Sequence, residues 1–280
     1  MSQIRHFDME IAELKRLLAA MADLVDQSLD LAVRSINRPT VDARDKAKVF
    51  EHRLDELDTL IEDRCHQILA LQGPMARDLR LLVSTMRVTL DLESIGDLAE
   101  SLAKRATYIA RHTLVRNPDA LQPLGELARS MVHRCTEAFI QGKAELAKGV
   151  MEDEKQADRL TKSGYAELQA FMKADAEHID GYLHMHRALS HLEHIADIAV
   201  SIAEEAVYAV SADSSSAITT RTCPNGTHPG HRRRARSPDP AALQPGEGGA
   251  PGHRGGQRRG RPARAAPPRL RPGPARPDAA

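Results

Sequence analysis

Tryptophan is absent from this chain, and four Phe and four Tyr are its only aromatics in 280 residues. A core with so few rings must be built from Leu, Ile, Val, Met and Ala. Cysteine is nearly absent too: Cys65, Cys135 and Cys223 are too few and too scattered for a disulfide framework or a zinc site. Cys65 and Cys135 fall among apolar positions and read as core thiols in a reducing compartment. No apolar run approaches the roughly 20 residues of a membrane span. The opening MSQIRHFDMEIAEL does not have the pattern of a signal peptide, so the expectation is a cytoplasmic protein. Strand alternation, a glycine-rich phosphate loop, a nucleophile elbow and a Cys/His catalytic pattern are all missing, and no anion site is evident.

Proline and glycine are scarce only in part of the chain. Residues 1–210 contain four of the 16 prolines, seven of the 17 glycines and every aromatic. They carry 26 Lys+Arg against 35 Asp+Glu, a charge near −9, whereas 211–280 carry 13 Arg against 4 Asp+Glu. The formal zero therefore conceals an acidic body and a basic tail. Such a body repels nucleic acid and anionic membrane, and no specific nucleic-acid binding is expected of it.

What is abundant is helical periodicity, and it repeats. At an offset of 100 residues, LDLESIGDLAESLAKR from Leu90 meets SHLEHIADIAVSIAEE from Ser190. Leu92, Glu93, Ile95, Asp97, Ala99, Ser101 and Ala103 meet identical residues, as do Arg87 and Tyr108.

The pattern predicts six helices. The first carries Phe7, Ile11, Leu14, Leu18, Met21, Val25, Leu29, Ala32 and Ile36, and stops before Pro39. The second runs from about Asp42 to Leu71, with Phe50, Leu54, Leu57, Ile61, Cys65 and Ile68 as its seam, and Gly73 ends it. The third runs from Met75 to about His112, the fourth from Pro118 to Lys148 with Gly149 as its stop. The fifth runs from Met151 to Lys173 and the sixth from Asp180 to Val210. The fold class expected is all-α: two tandem three-helix bundles, 1–115 and 116–212, then a disordered Arg/Pro/Gly-rich tail at 213–280. That tail cannot bury enough apolar surface to offset its ordering entropy. Its abrupt composition suggests a shifted reading frame, the competing reading being an arginine-rich segment that binds nucleic acid or lipid headgroups.

Four Asp/Glu pairs stand at i, i+4: Glu51/Asp55, Glu93/Asp97, Glu154/Asp158 and Glu193/Asp197. Like charges so placed repel by roughly 0.2–0.5 kcal/mol. They are either solvated helix faces or cation ligands. Asp58 and Glu62 lie within the same arc of helix two, and Glu93 with Asp97 are expected to project opposite their own seam. If helices two and three of each repeat are neighbours, their carboxylates face one another, as Mg, Ca, Mn or non-haem Fe would require. His194 is the imidazole placed to join them. A redox or hydrolytic di-metal enzyme would need inward-facing ligands, which the seams argue against, and no enzyme activity is expected.

Two three-helix units, each ending in L-E-x-I-[GA]-D-x-A-x-x-[IL]-A, resemble the PhoU family of phosphate-transport accessory and regulatory proteins. FDMEIAELKRLLAAMADLVDQSLDLAV, PMARDLRLLVSTMRVTLDLESIGDLAESLAKRA and HRALSHLEHIADIAVSIAEEAVY resemble that family's first, third and sixth helices. The resemblance spans about residues 1–210. It implies an all-helical homodimer without catalytic activity that negatively regulates the phosphate-starvation response and phosphate uptake. Its implied partners are the ATPase subunit of the phosphate ABC transporter and a sensor histidine kinase. It also implies multinuclear iron or another divalent metal (Zn, Mn, Mg) at Glu51, Asp55, Glu93 and Asp97, and at Glu154, Asp158, Glu193 and Asp197. Asp91 is a weaker candidate, its counterpart being His191. A metal-binding bundle with a structural or enzymatic role is the alternative. The chain departs from the family at Ala196, where the first copy has Gly96, and at His191 and His194.

Overall fold

The computed structural model describes residues 2–38, 42–110 and 115–210. The segment read as a tail at 213–280, Cys223 included, lies outside them. Six long helices follow in order: α1 Ser2–Asn37, α2 Ala43–Gln72, α3 Ala76–Ile109, α4 Leu121–Gln141, α5 Ala144–Ala174 and α6 Ile179–Val210. A single 3-10 turn, Ala176–His178, precedes α6. Among the described residues there is no strand.

The expected boundary between the fourth and fifth helices moves, and α5 begins at Ala144 instead of Met151. The fourth helix ends at Gly142, not Gly149. Gly142 adopts φ 68, and the backbone there closes with Lys143 N–H donating to Ala138 O at 2.9 Å. A left-handed residue at this point costs a non-glycine side chain its Cβ clearance. Gly149 sits inside α5, where its missing side chain merely leaves room beside Arg134. Periodicity alone does not distinguish the two glycines, because apolar spacing continues across both.

Each repeat is a three-helix unit: α1, α2 and α3 pack on one another, as do α4, α5 and α6. The units also pack together through α1 on α4 and α3 on α6. Four helices therefore form a central ring, α1–α3–α6–α4, with α2 and α5 laid on its outside. One apolar cluster runs through all six. The repeated positions supply much of it: Leu92 and Leu192, Ile95 and Ile195, Ala99 and Ala199, Ala103 and Ala203 are all buried. Removing a Leu or Ile side chain of this kind from water contributes about 1.5–3 kcal/mol. The small Ala positions let α3 and α6 each approach several neighbours at once. Cys65 and Cys135 are buried free thiols, and burial pushes the Cys65 thiol up to about 12 and Cys135 higher still.

Between α1 and α4 the contact is also polar. The Arg129 guanidinium donates to Asp26 through Nε at 2.8 Å and a second nitrogen at 2.9 Å, and to Asp30 at 2.6 Å. Its hydrogen bond holds the Asp26 carboxyl below the usual range. Among the described residues no helix is long and apolar enough to cross a membrane.

Candidate functional site

The packing of α2 on α3 begins with one small concession of shape. Leu54 of α2 lies over Gly96 of α3, so closely that a Cβ at 96 would overlap Leu54 Cδ1. Glu51, Asp55 and Asp58 lie within one turn of Leu54, and Glu93, Asp97 and Glu100 within one turn of Gly96. The close approach of the two backbones brings those carboxylates face to face.

Their electrostatics record it. Burial foremost, then the negative charges of Asp97 on its own helix and of Asp58 and Asp55 across the groove, raise Glu93 to about 7. Glu51 is raised by burial and by Asp55, Asp97 and Glu100. Asp58 is raised by burial, then by Glu62 and Asp55. Glu93 thus departs from the sequence expectation: it is half-buried in the α2–α3 groove, not projected to solvent, while Asp97 is exposed. The seam of α3 faces α1 and α6 as well as α2, so the side opposite one partner is covered by another.

The second repeat builds the same groove between α5 and α6. Burial foremost, then the charges of Glu193, Glu154 and Asp158, raise Asp197 to about 6. All eight carboxylates singled out from sequence therefore gather into two grooves, four in each. The grooves are not equal. With Glu51 aligned to Glu154, Asp58 corresponds to Thr161, and Glu100 corresponds to Val200. The second groove also carries its own compensation. Lys162 pairs with Asp158 at 3.2 Å, and Tyr165 Oη donates to Glu193 at 3.3 Å. Asp58 and Glu100 were not among the sequence-predicted site residues. Asp58 was visible beside the α2 seam, and Glu100 stands one turn beyond Asp97.

The donor set in both grooves is carboxylate oxygen, which fits hard divalent cations such as Mg, Ca, Mn or Fe. A bound cation would relieve the mutual repulsion that the raised Glu93 and Asp197 express. Among the described residues, no group of three or more His, Cys, Asp or Glu is already drawn to metal-ligating spacing. Holding an ion therefore requires rotation of the long Glu side chains toward it.

The remaining candidates lie between α3 and α6. Asp91 accepts a hydrogen bond from Ser201 Oγ at 3.2 Å. Burial lifts it to about 6, with Ser201 opposing and Glu205 adding. His191 is lowered to about 4 by burial and by the charges of Arg105, Arg187 and His194. Neither Asp91 nor His191 joins a carboxylate groove. His194 is exposed on α6.

Comparison with known proteins agrees with this architecture. The family model described as "PhoU domain" matches twice, at residues 18–106 and 121–206, one match per repeat. A phosphate-specific transport system accessory protein PhoU homolog of Pseudomonas putida is 31% identical over 207 residues, 74% of this chain and 81% of that protein. A homolog so described from Aquifex aeolicus is 32% identical over 184 residues, 66% of this chain and 83% of its own length. The crystal structure of PhoU from Pseudomonas aeruginosa superposes with a TM-score of 0.71 at 31% identity, covering 73% of this chain and 98% of that one.

Proposed function

The chain belongs to the PhoU domain family, and we propose that it is an accessory protein of a phosphate transport system that restrains the phosphate-starvation response and phosphate uptake. The observation that carries this reading is the double family match laid over two carboxylate grooves of the same construction. Relatives bear the name of phosphate-specific transport system accessory protein, and the similar Streptococcus pneumoniae structure is that of a phosphate transport system regulatory protein, PhoU. In this reading the protein acts by contact and not by catalysis. It links the ATPase subunit of a phosphate ABC transporter to a sensor histidine kinase, works in the cytoplasm and assembles as a homodimer. The Glu51, Asp55, Glu93 and Asp97 groove, and the Glu154, Asp158, Glu193 and Asp197 groove, hold divalent cations. Their chemistry there is neutralisation: an ion between α2 and α3, or α5 and α6, fixes the helices and changes the charge presented to a partner.

The test is alkaline phosphatase activity in phosphate-rich medium. A strain lacking the gene should show high activity, and residues 1–212 should repress it as well as the full chain. Rescue by the full chain only would assign a function to the segment after 212. No derepression on deletion would refute the regulatory reading.

A further inference from the structure

The contact between α3 and α6 joins the two repeats, and repetition makes its two ends directly comparable. At one end, Glu205 accepts from Ser84 Oγ at 2.8 Å and from the Arg87 guanidinium at 2.8 Å, while Asp91 accepts from Ser201 Oγ at 3.2 Å. Every carboxylate there has a donor. At an offset of 100, Asp91 becomes His191, Glu205 becomes Arg105, Ser84 becomes His184, and Arg87 becomes Arg187. Both acids have been replaced by cationic or basic side chains, and the arginine has been kept.

The second end is left short of acceptors. Arg105 Nε and His191 Nε2 are both buried with no hydrogen-bond partner. One terminal nitrogen of the Arg105 guanidinium lies 3.5 Å from His184 Nδ1, and Tyr108 stacks on that imidazole at 4.8 Å. Arg187 and His194 bring further positive charge to bear on His191. Among the described residues neither Arg105 nor Arg187 has a carboxylate partner. A buried guanidinium donor left without an acceptor is unfavourable. The two unanswered nitrogens come one from each repeat, with the Arg105 and Arg187 charges both acting on His191, and what this end lacks is what the other end has: acceptor oxygens carrying negative charge. Arg187 and His194 are exposed.

We infer that the α3–α6 junction around Arg105 and His191 binds a small tetrahedral oxyanion, occupying the place that the carboxylates of Asp91 and Glu205 fill at the other end. That the physiological ion is inorganic phosphate rests on the regulatory reading above; the oxyanion class rests on the residues alone. Binding there would tie one helix of each repeat to the same ion, so its occupancy would stiffen the junction between the two carboxylate grooves.

The experiment is calorimetric titration of the full chain with inorganic phosphate at constant ionic strength, with melting temperature followed in parallel. The arginine-rich segment after residue 210 also attracts anions, so binding is assigned to the junction by its loss in the Arg105, Arg187 and His191 variants. Wild type should bind phosphate and melt higher in its presence. Arg105→Gln and the exposed-edge Arg187→Gln should each weaken binding by roughly tenfold or more, as loss of a charge-assisted donor predicts. His191→Asp installs the residue of the other end: it should abolish phosphate binding while raising the melting temperature without phosphate. Absence of saturable binding and of a melting shift in wild type overturns the inference. So does undiminished binding in folded Arg187→Gln and His191→Asp. Normal phosphate binding with failed repression of alkaline phosphatase would sink the regulatory reading and leave this site standing.

Discussion

Replacing Gly96 by Ala should destabilise the wild-type fold and stabilise a Leu54→Ala background. A methyl at 96 overlaps Leu54 Cδ1 and lies 3.7 Å from its Cγ. Overpacking of that kind costs about 1–3 kcal/mol. Against it stands the gain in helix propensity from Gly to Ala, about 1 kcal/mol. The net cost of Gly96→Ala is then about 1 kcal/mol, with a range from about 0 to 2. Leu54→Ala alone removes a side chain only 1% exposed and should cost about 2–5 kcal/mol. With Leu54 gone, the methyl at 96 has space, and only the propensity gain of about 1 kcal/mol remains. The two changes should therefore couple by about 2 kcal/mol. The second repeat supplies the precedent, since Ala157 stands where Leu54 does and Ala196 where Gly96 does. Urea unfolding of the four proteins by circular dichroism measures the cycle. An effect of Gly96→Ala with the same sign and size in both backgrounds, within about 0.5 kcal/mol, would refute the claim that Leu54 sets the approach of α2 to α3.

Stability should fall as pH rises from about 4 to 7, because folded Glu93 keeps its proton up to about 7 and Asp197 up to about 6, while their unfolded counterparts release theirs earlier. Screened by solvent, each contributes on the order of 1 kcal/mol. Glu93→Gln should flatten that slope in a melting-temperature profile, and a profile rising steadily over the same range would count against the groove geometry. Below about pH 4 the opposite sign applies: the Asp26 carboxyl, lowered by Arg129, contributes stability that is lost as it protonates. Mg or Mn at pH 7.5 should raise the melting temperature, and Glu93→Gln with Asp97→Asn should diminish that gain more than Glu193→Gln with Asp197→Asn, since Lys162 and Tyr165 already engage the second groove. Equal losses would remove the asymmetry. Native Cys65 and Cys135 should resist thiol reagents until unfolding, as buried thiols with raised proton affinity do; rapid labelling of either would show the core to be open.

The number and order of helices, the repeat, the core thiols and the eight groove carboxylates were legible in the sequence because each leaves a periodic trace. Leu92, Ile95 and Ala99 recur at helical spacing whatever they pack against. The burial of Glu93 was not legible: it depends on α3 being enclosed by α1, α2 and α6 together, and a single seam reports only one neighbour. The ending of α4 at Gly142 turned on a backbone angle that composition does not carry. Asp58 and Glu100 joined the first groove through the crossing of α2 over α3, a distance no spacing encodes. The unanswered Arg105 and His191 nitrogens needed both halves in place, since the residues that would have answered them sit 100 positions away in the other copy.

The central ring has a consequence for ancestry. Each repeat gives two helices to it, so neither can cover α1 and α3, or α4 and α6, by itself. A single-repeat forerunner would have exposed those faces and would have been covered by a second molecule of itself, meeting along the lines now drawn by α1 on α4 and α3 on α6. Gene duplication would then have joined a pair that already existed. Once the two copies shared a chain, their junctions no longer had to be identical. One end of α3–α6 could keep its acids and the other could trade them for arginine and histidine, a divergence forbidden to a symmetric pair encoded by one gene.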